Sequence, residues 1–201
     1  MLVAIDAGHG KNTSGNRCAK ELDVNETREW QLNARVAEYV VDALDKHGIT
    51  AMRVDDITGK YDISLKERCE EANDYFAKLY ISIHHNAGAY LREGVGGIVV
   101  FHYPSDSNEE KAKRLYDLLI AETGLKGNRA KPIVANRSLA VLKNTKMPAF
   151  LIELGFMDSP DDVPIILSEE HAQNAARAIV QFVLEMQSGN KCKCNCDCEF
   201  C

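Results

Sequence analysis

Two hydrophobic rhythms alternate along the chain. Short, nearly continuous apolar runs occupy residues 2–5, 49–54, 79–83, 95–101 and 149–152. Their length and β-prone composition suit strands buried on both faces of a sheet. Between them, apolar residues return at steps of three and four, the period of an amphipathic helix. Residues 28–47 carry Leu32, Val36, Tyr39, Val40, Ala43 and Leu44 on one face and stop at Gly48, with Asp23 and Asn25 as cap candidates. Residues 64–76 turn Leu65, Cys69 and Ala72 inward, and residues 107–123 form a third helix. The closing helix, 168–187, turns in Ala172, Ala175, Ala176, Ile179, Phe182 and Val183. One or two further short strands are expected within 133–142, and a last one at 151–153. Strands alternating with helices at this spacing predict an α/β fold: a single domain with a mostly parallel, twisted sheet of about six strands flanked by helices.

The ends of three strands change the picture. The first run passes through Asp6 into Gly8-His9-Gly10, the third ends in His84-His85-Asn86, and the last leads into Glu153-Leu154-Gly155. Ligands of open α/β sheets bind beyond the carboxyl ends of strands, so these side chains sit where chemistry is expected. A catalytic zinc site takes three protein ligands and leaves a fourth vertex for water. His9 and His84 can supply two ligands. Glu26 and Glu29, at the start of the first helix, are candidates for the third. Glu29 is preferred because Asn33, four residues on, shares its face, which continues through Val36 and Val40 into the core; Glu26 reads as solvated. Glu153, not a ligand, is placed to move protons: a carboxyl at an apolar strand exit has its proton affinity raised. Zinc so held would activate a water towards a scissile carbonyl. Taken singly, each residue has a plainer reading, as a hydrogen-bonded His, a helix-dipole Glu or half of an ion pair. Together at matching strand exits they favour a metal site. His85 is left as a neighbour, with a substrate-facing position as its functional reading; His47 fits a helix C-terminus, and His102 and His171 have no visible partners.

Composition narrows the classes. At 201 residues with 45% hydrophobic and 27% charged residues, the chain can bury one substantial core. A net charge of −6 disfavours a nucleic-acid partner. No apolar run reaches the roughly 18–20 residues needed to span a bilayer, so no membrane partner is expected. The N-terminus lacks a basic region and meets Asp6 early, which reads as a core strand rather than a secretory signal. Synthesis in the cytoplasm is the expectation, with Cys18 and Cys69 as free thiols. Five of the seven cysteines crowd the end, at 192, 194, 196, 198 and 201. That composition places a boundary near Ser188, giving a domain at 1–188 and a Cys-rich tail at 189–201. Such a tail either binds a second soft metal or is a segment of oxidisable thiols.

Four ordered motifs carry a resemblance: Ile-Asp-Ala-Gly-His9-Gly, Glu29-x-x-x-Asn33, Ser-Ile-His84-His-Asn-Ala and Leu-Ile-Glu153-Leu-Gly-Phe. Ser64-Leu65-x-x-Arg68, Ala72-Asn73 and Asn144-Thr-Lys-Met-Pro-Ala149 accompany them. In this combination residues 1–187 resemble the zinc-dependent N-acetylmuramoyl-L-alanine amidases of the amidase 3 type, cell-wall hydrolases of bacteria and phages. The resemblance implies hydrolysis of the amide between the lactyl group of N-acetylmuramic acid and L-alanine in peptidoglycan. It also implies His9, Glu29 and His84 as zinc ligands and Glu153 as the catalytic glutamate. Two departures are Lys11 after Gly10, where a second glycine is common, and His85, where many members have alanine. Without a signal, the implied route to the wall is release from the cell, as an endolysin or in mother-cell lysis during sporulation.

Rival readings are weaker. A P-loop needs glycine five residues before Gly10 and Ser or Thr after the lysine, and Ile5 and Asn12 stand there. A zinc peptidase or deacetylase acting on another cell-wall bond stays open, although no His-Glu-x-x-His motif is present. An idle wall-binding module would not need Glu153.

Overall fold

The computed structural model describes residues 1–13 and 15–189. Its strands are β1 (Leu2–Ala7), β2 (Thr50–Arg53), β3 (Leu79–Asn86), β4 (Ile98–His102), β5 (Ile133–Ala135) and β6 (Ala149–Phe156). Its helices are α1 (Glu29–Lys46), α2 (Leu65–Asp74), α3 (Asp106–Thr123), α4 (Ala140–Lys143), α5 (Val163–Ile166) and α6 (Glu169–Gly189). The strands form one sheet in the order β2-β1-β3-β6-β4-β5. Every neighbouring pair is parallel except β4 with β6. The α/β expectation therefore holds, with one antiparallel junction inside an otherwise parallel sheet.

Register decides which side chains share a face. Asp6 lies beside Ser82, and His84 beside Glu153. Since side chains alternate along a strand, Asp6, Ser82, Leu151, His84 and Glu153 all project from one face. The opposite face carries Val3, Ile5, Ile81, Ile83, Phe150 and Ile152 into the main core, where α1, α3 and α6 supply Val36, Val40, Leu115, Leu119, Ile179 and Phe182. A smaller apolar cluster on the first face joins Ala4, Tyr80 and Ala149 to Cys69, Ala72, Val141 and Leu142 of α2 and α4. Three long helices cover one face and two short ones the other, so the second face stays open near the strand exits.

Several local expectations need correction. Helix α1 is capped by Arg28, whose N–H donates to the Gln31 side chain at 2.8 Å. Asp23 instead folds the preceding loop, accepting from the Asn25 and Thr27 amides at 3.0 and 2.8 Å. A short carboxylate closes a local turn more readily than it reaches a distant helix start. Leu65 faces outward, 51% exposed, because it opens α2 at the strand exits; Arg68, Cys69 and Ala72 are the buried face. Residues 133–142 give one strand and a short helix. The Asn136 carboxamide accepts from the Ser138 and Leu139 amides and turns the chain before α4. Strand β4 starts at Ile98 rather than at 95, since Gly97 is left-handed (φ 91°) and gives its amide to Asp162. Helix α5, with a proline in its first turn, was not foreseen.

Cys18 and Cys69 are free, as expected, and both are buried. Among the described residues, no helix is long and apolar enough to cross a membrane. Helix α6 runs to Gly189, the first residue assigned to the tail, and residues 190–201, with the second-metal reading, lie outside the described residues.

Candidate metal centre

Three elements deliver the central residues. Strand β1 ends at Ala7, and the chain turns through Gly8 to His9, which adopts the left-handed conformation (φ 68°). Strand β3 brings His84 to the open face near its exit. Glu29 is the first residue of α1, on the other side of the sheet, and reaches over the strand ends to both imidazoles. Its Oε1 is 2.9 Å from His84 Nδ1 and its Oε2 3.2 Å from His9 Nε2. One nitrogen or oxygen from each of the three lies within 4.8 Å of the others. The two rings meet edge to face, 5.1 Å between centroids.

Glu29 is 1% exposed and held by further donors: the Asn16 amide at 2.8 Å, the His85 amide at 3.3 Å and the Asn33 carboxamide at 3.4 Å. Burial would push its carboxyl up, but hydrogen bonds and charge from His84 and His9 hold it far below the usual carboxylate range. Glu29 is therefore an anion. Burial lowers His84 in turn, and the bond to Glu29 together with the charges of Glu153, Glu29 and Asp6 raises it above the ordinary imidazole value. The pair of imidazoles around a fixed carboxylate is the donor set of a tetrahedral zinc site, whose ligand atoms lie about 2.0–2.2 Å from the ion. The side chains present fit such an ion.

Glu153 stands next to His84 in register on β6. Its Oε2 is buried and has no partner within the described residues. Burial is the main influence on this carboxyl and pushes it up to about 7, against the pull of His84, His9 and Arg129. A carboxyl balanced near neutrality serves as proton acceptor and then donor. Beside the centre lies a cleft of about 360 Å³, lined among others by His9, His84, Ile63, Leu65, Val141 and Leu151. Leu65 is thus exposed where the cleft is apolar.

His85 points the other way, which corrects its substrate-facing reading. Alternation along β3 puts it opposite to His84, 1% exposed between α1 and α6. Asn33 gives its amide hydrogens to Gly8 O at 3.1 Å and to Glu29, so its Oδ1 accepts from His85 Nδ1 at 2.8 Å. His85 is a brace for Asn33. His171 from α6 lies 6.4 Å from it, ring to ring, and neither nitrogen of His171 has a hydrogen-bond partner among the described residues. Glu26, the alternative third ligand, is exposed and takes no part in the cluster. Asn16, which orders both Glu29 and the His85 carbonyl, was not singled out from sequence: a lone asparagine in a polar loop gives no signal of what it will touch.

Residues 3–185 match the Amidase_3 family, described as N-acetylmuramoyl-L-alanine amidase. The chain belongs to this family. Among relatives, YqiI of Bacillus subtilis is 31% identical over 180 residues, covering 89% of this chain and 81% of YqiI. The Staphylococcus aureus protein named "Probable cell wall amidase LytH" is 30% identical over 180 residues, and the matched region spans 55% of its length. The crystal structure of an N-acetylmuramoyl-L-alanine amidase from Clostridium difficile 630 superimposes with a TM-score of 0.81 at 30% identity, covering 94% of this chain and 97% of that one. The amidase fold is thus present over the whole sheet and its long helices, and the family's chemistry is hydrolysis of a peptidoglycan amide.

Proposed function

We propose that this amidase-family chain is a zinc-dependent N-acetylmuramoyl-L-alanine amidase that hydrolyses the bond between the lactyl carbonyl of N-acetylmuramic acid and L-alanine. His9 Nε2, His84 Nδ1 and a Glu29 oxygen are the proposed ligands, and Glu153 the proposed proton carrier. The observation that carries the reading is the unpartnered Oε2 of Glu153, buried beside a cluster of two imidazoles and a carboxylate. A buried acceptor left without a donor is costly in a structural role and useful where a water and an amide must enter.

Zinc, when bound, supplies a Lewis acid that polarises the amide carbonyl and makes water nucleophilic near neutral pH. The rest is done by the chain. Glu153 takes a proton from the attacking water at its free oxygen and gives it to the departing amine of L-alanine. Asn33 and Asn16 keep Glu29 pointed at the imidazoles. The apolar wall of Leu65, Val141 and Leu151 excludes bulk water from one side of the cleft.

Digestion of purified peptidoglycan tests the bond. New L-alanine amino termini without new reducing sugars support the proposal; new reducing ends, or amino termini of another residue, refute it. Lysis that persists after exhaustive chelation overturns the metal dependence.

A further inference from the structure

Arg68 is a residue of the amidase-like motif for which neither the ligand set nor the proton carrier has a use. It is 1% exposed, and burying a guanidinium is costly unless every donor is matched. Here every donor is. Nε–H donates to the Ile63 carbonyl at 2.8 Å. The two hydrogens on Nη1 meet Asp6 Oδ1 at 2.6 Å and the Ala7 carbonyl at 2.9 Å. Those on Nη2 meet the His9 carbonyl at 3.1 Å and Asp62 Oδ1 at 2.8 Å. Five N–H groups find five acceptors, the full capacity of the side chain.

Those acceptors are not scattered. Asp6, Ala7 and His9 are the exit of β1, and Asp62 and Ile63 are the segment entering α2. Asp6 in turn accepts from the Ser82 hydroxyl at 2.7 Å, tying the strand that delivers His9 to the strand that delivers His84. His9 needs such a hold. It is a non-glycine residue at φ 68°, a conformation that persists only where the surroundings over-determine it. Its imidazole is 30% exposed, so packing alone does not fix the ring.

We infer that Arg68 is the positioning residue of the metal centre, its guanidinium locking the left-handed turn that aims the His9 imidazole at Glu29 and His84. It acts through His9 and is not itself among the clustered donor atoms. Lysine cannot replace it, because three donors on a flexible stem do not reproduce the planar five-point fork. The inference rests on the zinc reading of the site.

The test measures zinc affinity of the folded, metal-stripped protein by competition with a chromophoric chelator, beside thermal unfolding of the same samples. Arg68→Lys is expected to bind zinc about 10–100-fold more weakly, the range seen when outer partners of a ligand are lost. The half-exposed Asp62 offers a milder variant: Asp62→Ala is expected to fold and to lose affinity at the lower end of that range. Leu119→Ala, in the core away from the site, should unfold at lower temperature yet keep wild-type zinc affinity. Wild-type affinity in Arg68→Lys, or in Asp62→Ala should the lysine variant not fold, overturns the inference. So does a matching affinity loss in Leu119→Ala, which would make the effect one of general stability. A wild-type protein that binds no zinc refutes the zinc reading itself, a distinct result.

Discussion

Gly8 lies directly against the face of the His84 imidazole: a β-carbon on Gly8 would stand 2.0 Å from Cε1 and 2.4 Å from Nε2. The glycine is there because the β1 exit and the β3 histidine must pass closer than any side chain allows. Gly8→Ala is therefore expected to displace the His84 ring while leaving the remote core of α3 and α6 intact. Zinc retention should fall by about 10–100-fold, the scale of disturbing a ligand's support. Metal analysis after dialysis, with a near-native circular dichroism spectrum as the control, checks this. Full zinc retention would show that His84 does not need its present position.

Removing the proposed proton carrier separates chemistry from assembly. Glu153→Gln keeps shape and polarity but cannot accept a proton. Peptidoglycan hydrolysis should drop about 10²–10⁴-fold, the usual contribution of a positioned acid or base. Zinc content should stay at the wild-type level, since Glu153 is not among the clustered donor atoms. Equal loss of zinc and activity would instead make Glu153 a ligand.

The protonation of Glu153 gives that role a pH signature. Burial raises its carboxyl to about 7 in the metal-free site. A dication beside it favours the ionised form, so zinc lowers that value. Two signs follow: zinc binding releases a proton from Glu153 near pH 7, and the acid limb of activity falls below the metal-free value of about 7. Proton release on zinc addition in weak buffer should be smaller in Glu153→Gln than in wild type, and the difference isolates this carboxyl from the histidines. Identical release by both proteins would mean that Glu153 is already ionised before zinc arrives.

Much of the architecture was legible because parallel strands buried on both faces leave continuous apolar runs, and a charged or ring side chain at the end of such a run stands out. That is how His9, His84 and Glu153 could be read, and why Asn33 drew the choice to Glu29. What the linear pattern hides is direction. His84 and His85 are adjacent and equally polar, yet alternation sends one to the cleft and the other to a brace between α1 and α6. Leu65 has the helical spacing of a core residue, but it opens α2 at the cleft and is exposed there. Asp6 and Ser82 belong to apolar strands, and only the register shows that they are neighbours, Ser82 donating to Asp6 and Asp6 accepting from a buried arginine. Long-range partners of loop residues such as Asn16 depend on the finished fold and leave no periodic trace.

His171 makes the native state sensitive to acid. Burial is the first cause of its depressed value, about 4 against an ordinary 6.5; the charge of Arg35 acts the same way, and neither ring nitrogen has a hydrogen-bond partner among the described residues. The folded protein thus keeps this imidazole neutral in a range where the unfolded chain protonates it. Its contribution to stability is full above about pH 6.5 and is lost as pH falls towards 4. At 1.36 kcal/mol per pH unit the window corresponds to at most about 3 kcal/mol. His85, held down to about 3 by burial and by the neighbouring His171, carries the same sign. Urea unfolding at neutral pH and again near pH 4.5 should show wild type losing more stability than His171→Gln, whatever the glutamine costs at neutrality. The difference between the two slopes belongs to His171 together with the His85 it depresses, because every carboxylate contribution is common to both proteins. Parallel slopes would mean that the imidazole is protonated in the native state, which would require an acceptor facing its ring.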